Sequence, residues 1–248
     1  GSRVRISGSG AGLEAWADLR ILVPAGRTVS VNLGVGEIVA TNVDGALFLD
    51  TRSGNVSTSA TRGTLRIDTG SGSVQVEGAS GDVNLDTGSG SIRVSDVSGG
   101  ALEVDTGSGR VTGTGLDVSD LTIDTGSGSI ELEAVQAPRV EAETGSGSIR
   151  LGASGVDELV LDTGSGSVDV DLESVVRSVL IDTGSGSVTL DVPDALDATL
   201  ELDSGAGGVE VDLPVRIIEK ERNYLRAALG EGTGSIRIET GSGGIRIR

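Results

Sequence analysis

The sequence contains no cysteine, no methionine and no histidine, and its aromatic residues are limited to Trp16, Phe48 and Tyr224. Without cysteine the chain can form no disulfide, no zinc–thiolate site and no thiol nucleophile. Aromatic side chains usually dominate the buried area of a core, so a core in this chain must consist of Val, Ile, Leu and Ala. The composition therefore argues against a conventional globular domain.

Basic residues are also scarce, since 19 Lys and Arg stand against 37 Asp and Glu and the net charge is −18. Nucleic acids and anionic membrane surfaces are bound by basic faces, so we expect neither as a partner. No apolar run approaches the roughly 20 residues of a membrane-spanning helix, and we expect no transmembrane segment in this chain. Self-repulsion that limits aggregation is the simplest interpretation of the charge, and attraction of cations or basic surfaces is the alternative.

The abundant feature is a short repeat of the form Asp-Thr-Gly-Ser-Gly-Ser followed by Val or Ile. Copies and close variants begin at Asp50, Asp68, Asp86, Asp105, Asp124, Glu143, Asp162, Asp182, Asp203 and Glu239. Successive copies are 18 to 21 residues apart, and the last gap of 36 residues is interpreted as two periods with one degenerate copy. Repeats of this length indicate a solenoid.

Each repeat contains two short apolar alternations. In the segment 65–83, Leu65 and Ile67 alternate with polar residues, the Gly-Ser-Gly sequence interrupts the strand, and Val74 and Val76 begin a second alternation. A period of two is typical of strands, and glycine permits the positive φ that a sharp corner can require. One repeat cannot bury its apolar side alone, but stacked copies cover one another.

These patterns predict an all-β fold, a right-handed parallel β-solenoid (β-helix) of about 12 rungs of 18–21 residues. Right-handedness follows from the hand of parallel β crossovers. Length changes fall between the second strand and the next repeat, where small apolar residues are expected to point inward and close the coil: Ala79, Val97, Val135 and Leu196. An antiparallel meander is the alternative, but it does not require identical residues in every second strand.

We expect one domain, 1–248, with an N-terminal cap region at 12–31, regular rungs at 32–213, and a C-terminal cap with the last rungs at 214–248. The stretches Val4–Gly10 and Ile245–Arg248 both alternate like strands and are predicted to be exposed edges. Exposed edges invite self-association through the solenoid ends, although their arginines can block it.

Three features carry a family resemblance: the first segment Leu19–Val29, the many Thr-Gly-Ser-Gly corners and the last segment Leu229–Gly243. In these features the chain resembles the bacterial putative-adhesin family of β-strand-repeat proteins, a domain of unknown function. The resemblance covers nearly the whole chain. It implies an extracytoplasmic β-solenoid with no established catalytic residues. We expect that a leader preceded Gly1 and was removed.

The residues that invite a chemical interpretation are the stacked carboxylates. The Asp-Thr-Gly-Ser sequence also occurs in aspartic proteases, but that chemistry needs two carboxylates at a domain interface, and we predict no catalytic and no cofactor-binding residues. We expect the carboxylates to form an outward column that accepts N–H bonds from the Gly-Ser corners. Weak Ca²⁺ binding is the alternative use of this column, through Asp50, Asp68, Asp86, Asp105, Asp124, Glu143, Asp162 and Asp182.

The threonine that follows each carboxylate alternates to the apolar side, so these threonines are expected to face inward and hydrogen-bond along the stack. The sequence as a whole predicts a non-enzymatic extracytoplasmic structural or adhesion module. A subunit of an end-to-end stacked filament and a cell-envelope signalling accessory domain are the alternatives. The surface ligand is not indicated.

Overall fold

The computed structural model describes residues 18–248. Within that range all regular structure is strand, so no helix there is long and apolar enough to cross a membrane. The strands that form the stack in chain order are β1 (Val29–Val35), β2 (Ile38–Thr41), β3 (Leu47–Ser53), β4 (Val56–Arg62), β5 (Leu65–Thr69), β6 (Val74–Thr87), β7 (Ile92–Thr106), β8 (Val111–Asp117), β9 (Asp120–Thr125), β10 (Ile130–Gln136), β11 (Arg139–Thr144), β12 (Ile149–Ser154), β13 (Glu158–Thr163), β14 (Val168–Leu172), β15 (Ser178–Thr183) and β16 (Val188–Asp191). They are followed by β17 (Ala198–Ser204), β18 (Val209–Val211), β19 (Arg216–Lys220), β20 (Tyr224–Leu229), β21 (Gly234–Thr240) and β22 (Ile245–Ile247).

The predicted strand alternation is present in the structure. In β13, Leu159, Leu161 and Thr163 are buried while Asp162 is exposed. The buried side chains of all rungs merge into one core of Leu, Ile, Val and Ala, without a buried aromatic residue in the described range. The period of two thus divides each rung into an inner apolar side and an outer polar side.

Strands one repeat apart pair in parallel, which confirms the β-solenoid. β1, β3, β5, β9, β11, β13 and β15 lie on the first face, and β2, β4, β8, β10, β12, β14 and β16 on the second. About nine turns follow chain order from β1 to β16. The predicted number of about 12 rungs is not confirmed, and the right hand of the coil stays a prediction.

The third side closes each coil as predicted. β6 and β7 run without interruption from the second face, along the third side and into the first face of the next rung. Ala79, Val97, Val135 and Leu196 are all buried, with at most 3 % of their surface exposed. Small side chains fit here because the coil is narrow where the chain turns back.

A second corner, between the second face and the third side, has a left-handed residue in each of the first six rungs. Positive φ occurs there at Asn42, Ala60, Gly78, Asp96, Gly115 and Ala134. Four of these six residues are not glycine, although a side chain in this region costs about 1–2 kcal/mol. The sequence pattern does not indicate this corner, because no glycine recurs there from rung to rung.

The last part of the stack departs from chain order. β21 pairs in parallel with β15 on one side and with β17 on the other. β22 likewise lies between β16 and β18. The rung β21–β22, which comes last in the sequence, is therefore inserted between two rungs that precede it.

An antiparallel hairpin covers the edge of β17 that does not pair with β21. β20 pairs antiparallel with β17, and β19 pairs antiparallel with β20. The interpretation of the 36-residue gap as a degenerate rung is therefore wrong, since β19 and β20 occupy that segment. The prediction that Ile245–Arg248 forms an exposed edge is also wrong, because Ile245 and Ile247 are buried between two rungs.

At the other end, residues 18–28 form no strand, and β1 is the first strand of the described range. Leu19, Ile21 and Leu22 are mostly exposed. The predicted edge Val4–Gly10, Trp16 and the first part of the predicted cap region, 12–17, lie outside the described residues.

Candidate functional surface

The corner between the first and second faces is held together by threonine hydroxyl groups. Thr163 Oγ1 donates a hydrogen bond to the carbonyl oxygen of Gly147 in the preceding rung, at 2.8 Å. The same oxygen accepts the N–H of Gly166 in its own corner, at 3.0 Å. Each threonine therefore links two rungs and fixes its own turn.

This threonine ladder repeats along the solenoid. The inter-rung bond recurs at Thr69, Thr87, Thr106, Thr125, Thr144, Thr183 and Thr240. The threonines are buried, which confirms the predicted inward orientation and the hydrogen bonding along the stack. Their hydroxyls serve the fold and are not available to an external ligand.

The glycines of this corner are required because neighbouring rungs approach closely. A Cβ atom at Gly128 or Gly186 would lie 1.7 Å from a glycine carbonyl oxygen of the adjacent rung. Neither residue has a positive φ, so close approach, and not the expected left-handed turn, explains glycine here. The corner can therefore present backbone and serine to solvent but no larger side chain at these positions.

The first rungs are less well bonded. The hydroxyl groups of Thr51, Thr58 and Thr61 are buried without a hydrogen-bond partner. Thr51 aligns with Leu33 of the rung above it, where the corner sequence is degenerate. An unpaired buried hydroxyl costs free energy, so the threonine column stabilises the middle of the solenoid more than its first rungs.

The carboxylate column lies on the first face as predicted. Register pairs join consecutive members from Asp50 to Asp182, and the inserted rung then places Glu239 between Asp182 and Asp203. The column is thus continuous in space although its last two members are interchanged in sequence. Parallel strands are about 4.8 Å apart. Each carboxylate between the two ends of the column therefore faces a like charge on both sides, while Asp50 and Asp203 at the ends face one on a single side.

This crowding changes the ionisation of the column. The pKa values of Asp68, Glu143 and Asp182 are raised, first by partial burial and then by the negative charges of the neighbouring carboxylates. Arg66 opposes the shift at Asp68, and Arg237 opposes it at Asp182. These three carboxylates therefore hold protons more readily than isolated carboxylates do.

The expected hydrogen bonds from the Gly-Ser corners to these carboxylates are not formed in the part of the chain that the structure describes. The corner N–H groups of Gly109, Gly128, Gly147, Gly166, Gly186 and Gly243 are instead bonded to threonine. Among residues 18–248, no group of three or more acidic side chains is arranged to hold a metal ion. Cation binding by the column stays a prediction.

The second face bears a shallow groove that crosses several rungs. Ser129, Ser148, Ser167 and Ser187 align along it. Arg150 and Asp169 form an ion pair beside it, with an N–O distance of 3.7 Å and both side chains about half exposed. The groove is open, and such exposed pairs contribute little to binding or stability.

The inserted rung is fixed by a residue that the sequence analysis did not single out. The carboxylate of Asp197 accepts the N–H groups of Gly232 and, at 2.9 Å, of Thr233. These hydrogen bonds lower the pKa of Asp197. The sequence signal was the 21-residue spacing between Asp182 and Asp203, the longest single period, which marks the loop that crosses an additional rung.

A solenoid of short parallel strands with glycine-serine corners and an acidic first face defines a β-repeat domain. The Toastrack family model, DUF4097, matches residues 17–173 and again 81–248. The two matches together span nearly the whole chain, and the chain belongs to this family. No curated protein and no solved structure matches the chain. The family is a domain of unknown function, so membership supports the β-repeat resemblance and leaves the adhesin label a prediction.

Proposed function

We propose that this solenoid is a non-enzymatic structural or adhesion module that acts outside the cytoplasm and presents its first face to a partner surface. The observation that carries this proposal is the continuous register of outward-facing carboxylates on that face, which runs from Asp50 through the half-buried Glu239 to Asp203. The backbone ladder fixes the spacing of the column, so a partner meets a regular array of charge.

The ionisation of the column supports a non-enzymatic role. Carboxylates that act as an acid and base pair have environments that push their pKa values in opposite directions. Asp68, Glu143 and Asp182 are instead all shifted upward, for the same two reasons. The chain also has no histidine or cysteine that could supply another general base or nucleophile.

Adhesion is tested with beads that carry the protein and are settled on amine-coated glass, purified peptidoglycan and collagen. The test variant Asp105→Asn/Asp124→Asn/Asp162→Asn neutralises three carboxylates of the first face. The control Glu131→Gln/Asp169→Asn/Glu210→Gln removes the same charge from the second face. We expect beads to adhere to at least one surface and the first-face variant alone to lose most of that adhesion. Adhesion to none of them, or equal loss in both variants, would contradict a ligand-contacting first face.

Extracytoplasmic location is part of this proposal and rests on the family resemblance. Protease treatment of cells that express the native gene, with the outer envelope permeabilised and the cytoplasmic membrane intact, tests it directly. Degradation of the protein is the expected result, and protection until the cytoplasmic membrane is lysed would refute the location.

An end-to-end filament is the second candidate, because β19 offers an edge in the direction of the stack. β19 runs parallel to the strands of the first face, all five of its residues are exposed, and within the described residues it pairs with β20 alone. β1 pairs with β3 alone in the same range. Light scattering and negative-stain microscopy of the wild type and of Ile218→Lys test this candidate. Rods that lengthen with concentration, and only in the wild type, would support it.

Two further expectations stand as proposals. Weak Ca²⁺ binding by the carboxylate column predicts a small rise in melting temperature on calcium titration, and an unchanged temperature would remove it. A signalling accessory role stays a prediction, and no feature of the described surface favours it.

A further inference from the structure

Within residues 18–248, the slot between the rungs β15–β16 and β17–β18 is the one place where the stack is filled out of chain order. Its occupant, residues 234–248, hydrogen-bonds to both neighbouring rungs. β15 and β17 do not pair with each other, and each pairs instead with β21 of this segment. The slot is thus a strand-acceptor site that the chain fills with its own last rung.

The slot binds its occupant through the same kinds of contact that join any two rungs, which are buried aliphatic side chains and the threonine ladder. Ile236 and Ile238 align with Val179 and Ile181 on one side, and they are buried like any other inward pair. The threonine ladder also passes through the slot. Thr240 donates to the carbonyl of Gly186 at 2.8 Å, and Ser204 donates to the carbonyl of Gly243 at 2.7 Å.

The outer surface of the inserted rung adds two ion pairs. Arg246 binds Glu210 on one side of the slot, and Arg248 binds Asp191 on the other. Both pairs are about half exposed, so solvent screens them and they contribute modestly. They favour one register of the segment without closing the slot to another copy of it.

The link into the slot is a short turn with two left-handed glycines. Gly230 has a φ of 65° and Gly232 a φ of 79°. Asp197 holds this turn through the N–H groups of Gly232 and Thr233. Thr199 Oγ1 also donates a hydrogen bond to the carbonyl of Gly232, at 3.3 Å. These few hydrogen bonds can break without unwinding any chain-ordered rung, which is the arrangement that permits exchange of an identical element between protomers.

We propose that this slot accepts residues 234–248 from a second copy of the chain, so that two copies associate by exchanging their last rung, with Asp197 as the residue that retains the segment in its own slot. The partner is identified by complementarity, because the same segment carries the isoleucines, the threonine and the arginines that the slot already binds. This interaction requires neither the ligand proposed for the first face nor pairing at the ends of the stack, although the exchanged segment itself carries Glu239 of the carboxylate column.

The test uses two full-length variants, Leu180→Cys and Arg237→Cys, mixed in equal amounts in a thiol–disulfide exchange buffer. These positions are register partners across the slot and both are exposed. Their Cα atoms are one strand spacing apart, about 4.8 Å, which lies within the range of a disulfide. Wild-type chains contain no cysteine, so a disulfide-linked pair that contains one chain of each variant, identified by mass spectrometry, reports a segment from one copy in the slot of another.

The matched control mixes Phe48→Cys with Arg66→Cys, which are exposed register partners in consecutive chain-ordered rungs and stand two residues before the carboxylate of their rung, as Leu180 and Arg237 do. The double variant Leu180→Cys/Arg237→Cys in one chain checks the register by forming an internal disulfide. We expect linked dimers from the slot pair at least ten times more than from the control pair, and a faster yield when Asp197→Asn is added to both slot variants. Equal yields from the two pairs, or no linked dimer from the slot pair even with Asp197→Asn, would overturn the proposal.

Discussion

The chain-ordered stack from β1 to β16 and the interchanged end from β17 to β22 are built from the same kind of rung but joined differently. In the stack, each rung pairs with the next repeat in the sequence. At the end, the segment 192–197 crosses an additional rung level, and residues 234–248 return to fill the space that it leaves. The sequence of a rung therefore specifies how that rung is built, while the connections between rungs specify which rungs are neighbours.

The threonine ladder is common to both regions and crosses their boundary. Thr183, Thr240 and Ser204 continue it although their order in space differs from their order in sequence. Breaking the ladder or the close approach of its glycines should therefore be costly wherever a rung is fully stacked.

The largest expected effect comes from a corner glycine. A Cβ atom at Gly128 would lie 1.7 Å from the carbonyl oxygen of Gly109, whereas at Gly208 it would meet nothing within 4 Å. Gly128→Ala should lower the free energy of unfolding by about 3 kcal/mol or more, because the rungs must part. Gly208→Ala should change it by less than about 0.5 kcal/mol. Urea unfolding of both variants measures the difference, and equal effects would show that rung spacing is not limited by this contact.

The next effect concerns the threonine hydroxyl itself. Thr163→Val removes two hydrogen bonds and leaves the carbonyl of Gly147 and the N–H of Gly166 unpaired. We expect a loss of about 1–3 kcal/mol. In Thr51→Val the lost hydroxyl has no partner, so stability should be unchanged or higher. A similar loss in both variants, measured by the same urea unfolding, would mean that side-chain shape and not hydrogen bonding holds the corner.

A smaller effect is expected at the second corner of the chain-ordered stack. Ala134 has a φ of 52°, so Ala134→Gly should relieve strain and raise the unfolding free energy by about 0.5–1 kcal/mol. For a domain of this size that corresponds to a rise of about 1–4 °C in Tm. Ala101→Gly, in an ordinary strand position, should instead lower Tm. Calorimetry that finds Tm lowered in both variants would contradict strain at the second corner.

The smallest expected effect is the pH dependence of the unfolding free energy, which has opposite signs for the carboxylate column and for Asp197. The raised pKa values of Asp68, Glu143 and Asp182 mean that these three carboxylates bind protons more readily in the folded chain than in the unfolded chain. The unfolding free energy should therefore rise as pH falls from neutral through these raised values towards the ordinary values of 3.8 and 4.5.

Asp197 acts in the opposite sense, because its lowered pKa stabilises the folded chain above pH 3.8 and that contribution is lost as pH falls through the lowered value.

Urea unfolding of the wild type and of Glu143→Gln between pH 7 and pH 3 measures how the carboxylate column contributes to the free energy of unfolding. The variant should be a few tenths of a kcal/mol more stable at neutral pH and should gain less on acidification. An unchanged pH profile in Glu143→Gln would show that the charges of the column do not interact.

Several elements were predictable because each depends on one rung alone. The alternation of Leu65 and Ile67 with polar residues placed the strands and their buried sides, and the same alternation turned the threonines inward. The tolerated length changes located the third side with Ala79 and Val97. These features depend on the period of two and on local turn chemistry, which every copy of the repeat states again.

Other features depend on what lies in the adjacent rung and could not be predicted in this way. The sequence predicted that the corner N–H groups bond to aspartate. In the structure they bond to threonine, as Gly166 does to Thr163, because the threonine hydroxyl lies within hydrogen-bond distance of the corner. The left-handed column at Ala60 and Ala134 carries no glycine signal. The contribution of Asp197 requires a turn that is distant in the sequence.

By itself, the sequence determined the solenoid, its acidic first face and its aliphatic core, because a repeated apolar alternation can be buried only by stacking. The tertiary structure alone decided the order of the last rungs. Ile236, Ile238 and Thr240 match the inward pattern of every other rung, so local pattern gives no preference among neighbours. That choice came from the longer connection before β17 and the hairpin β19–β20, which together make the space between β15 and β17 the place where the last rung is buried on both sides.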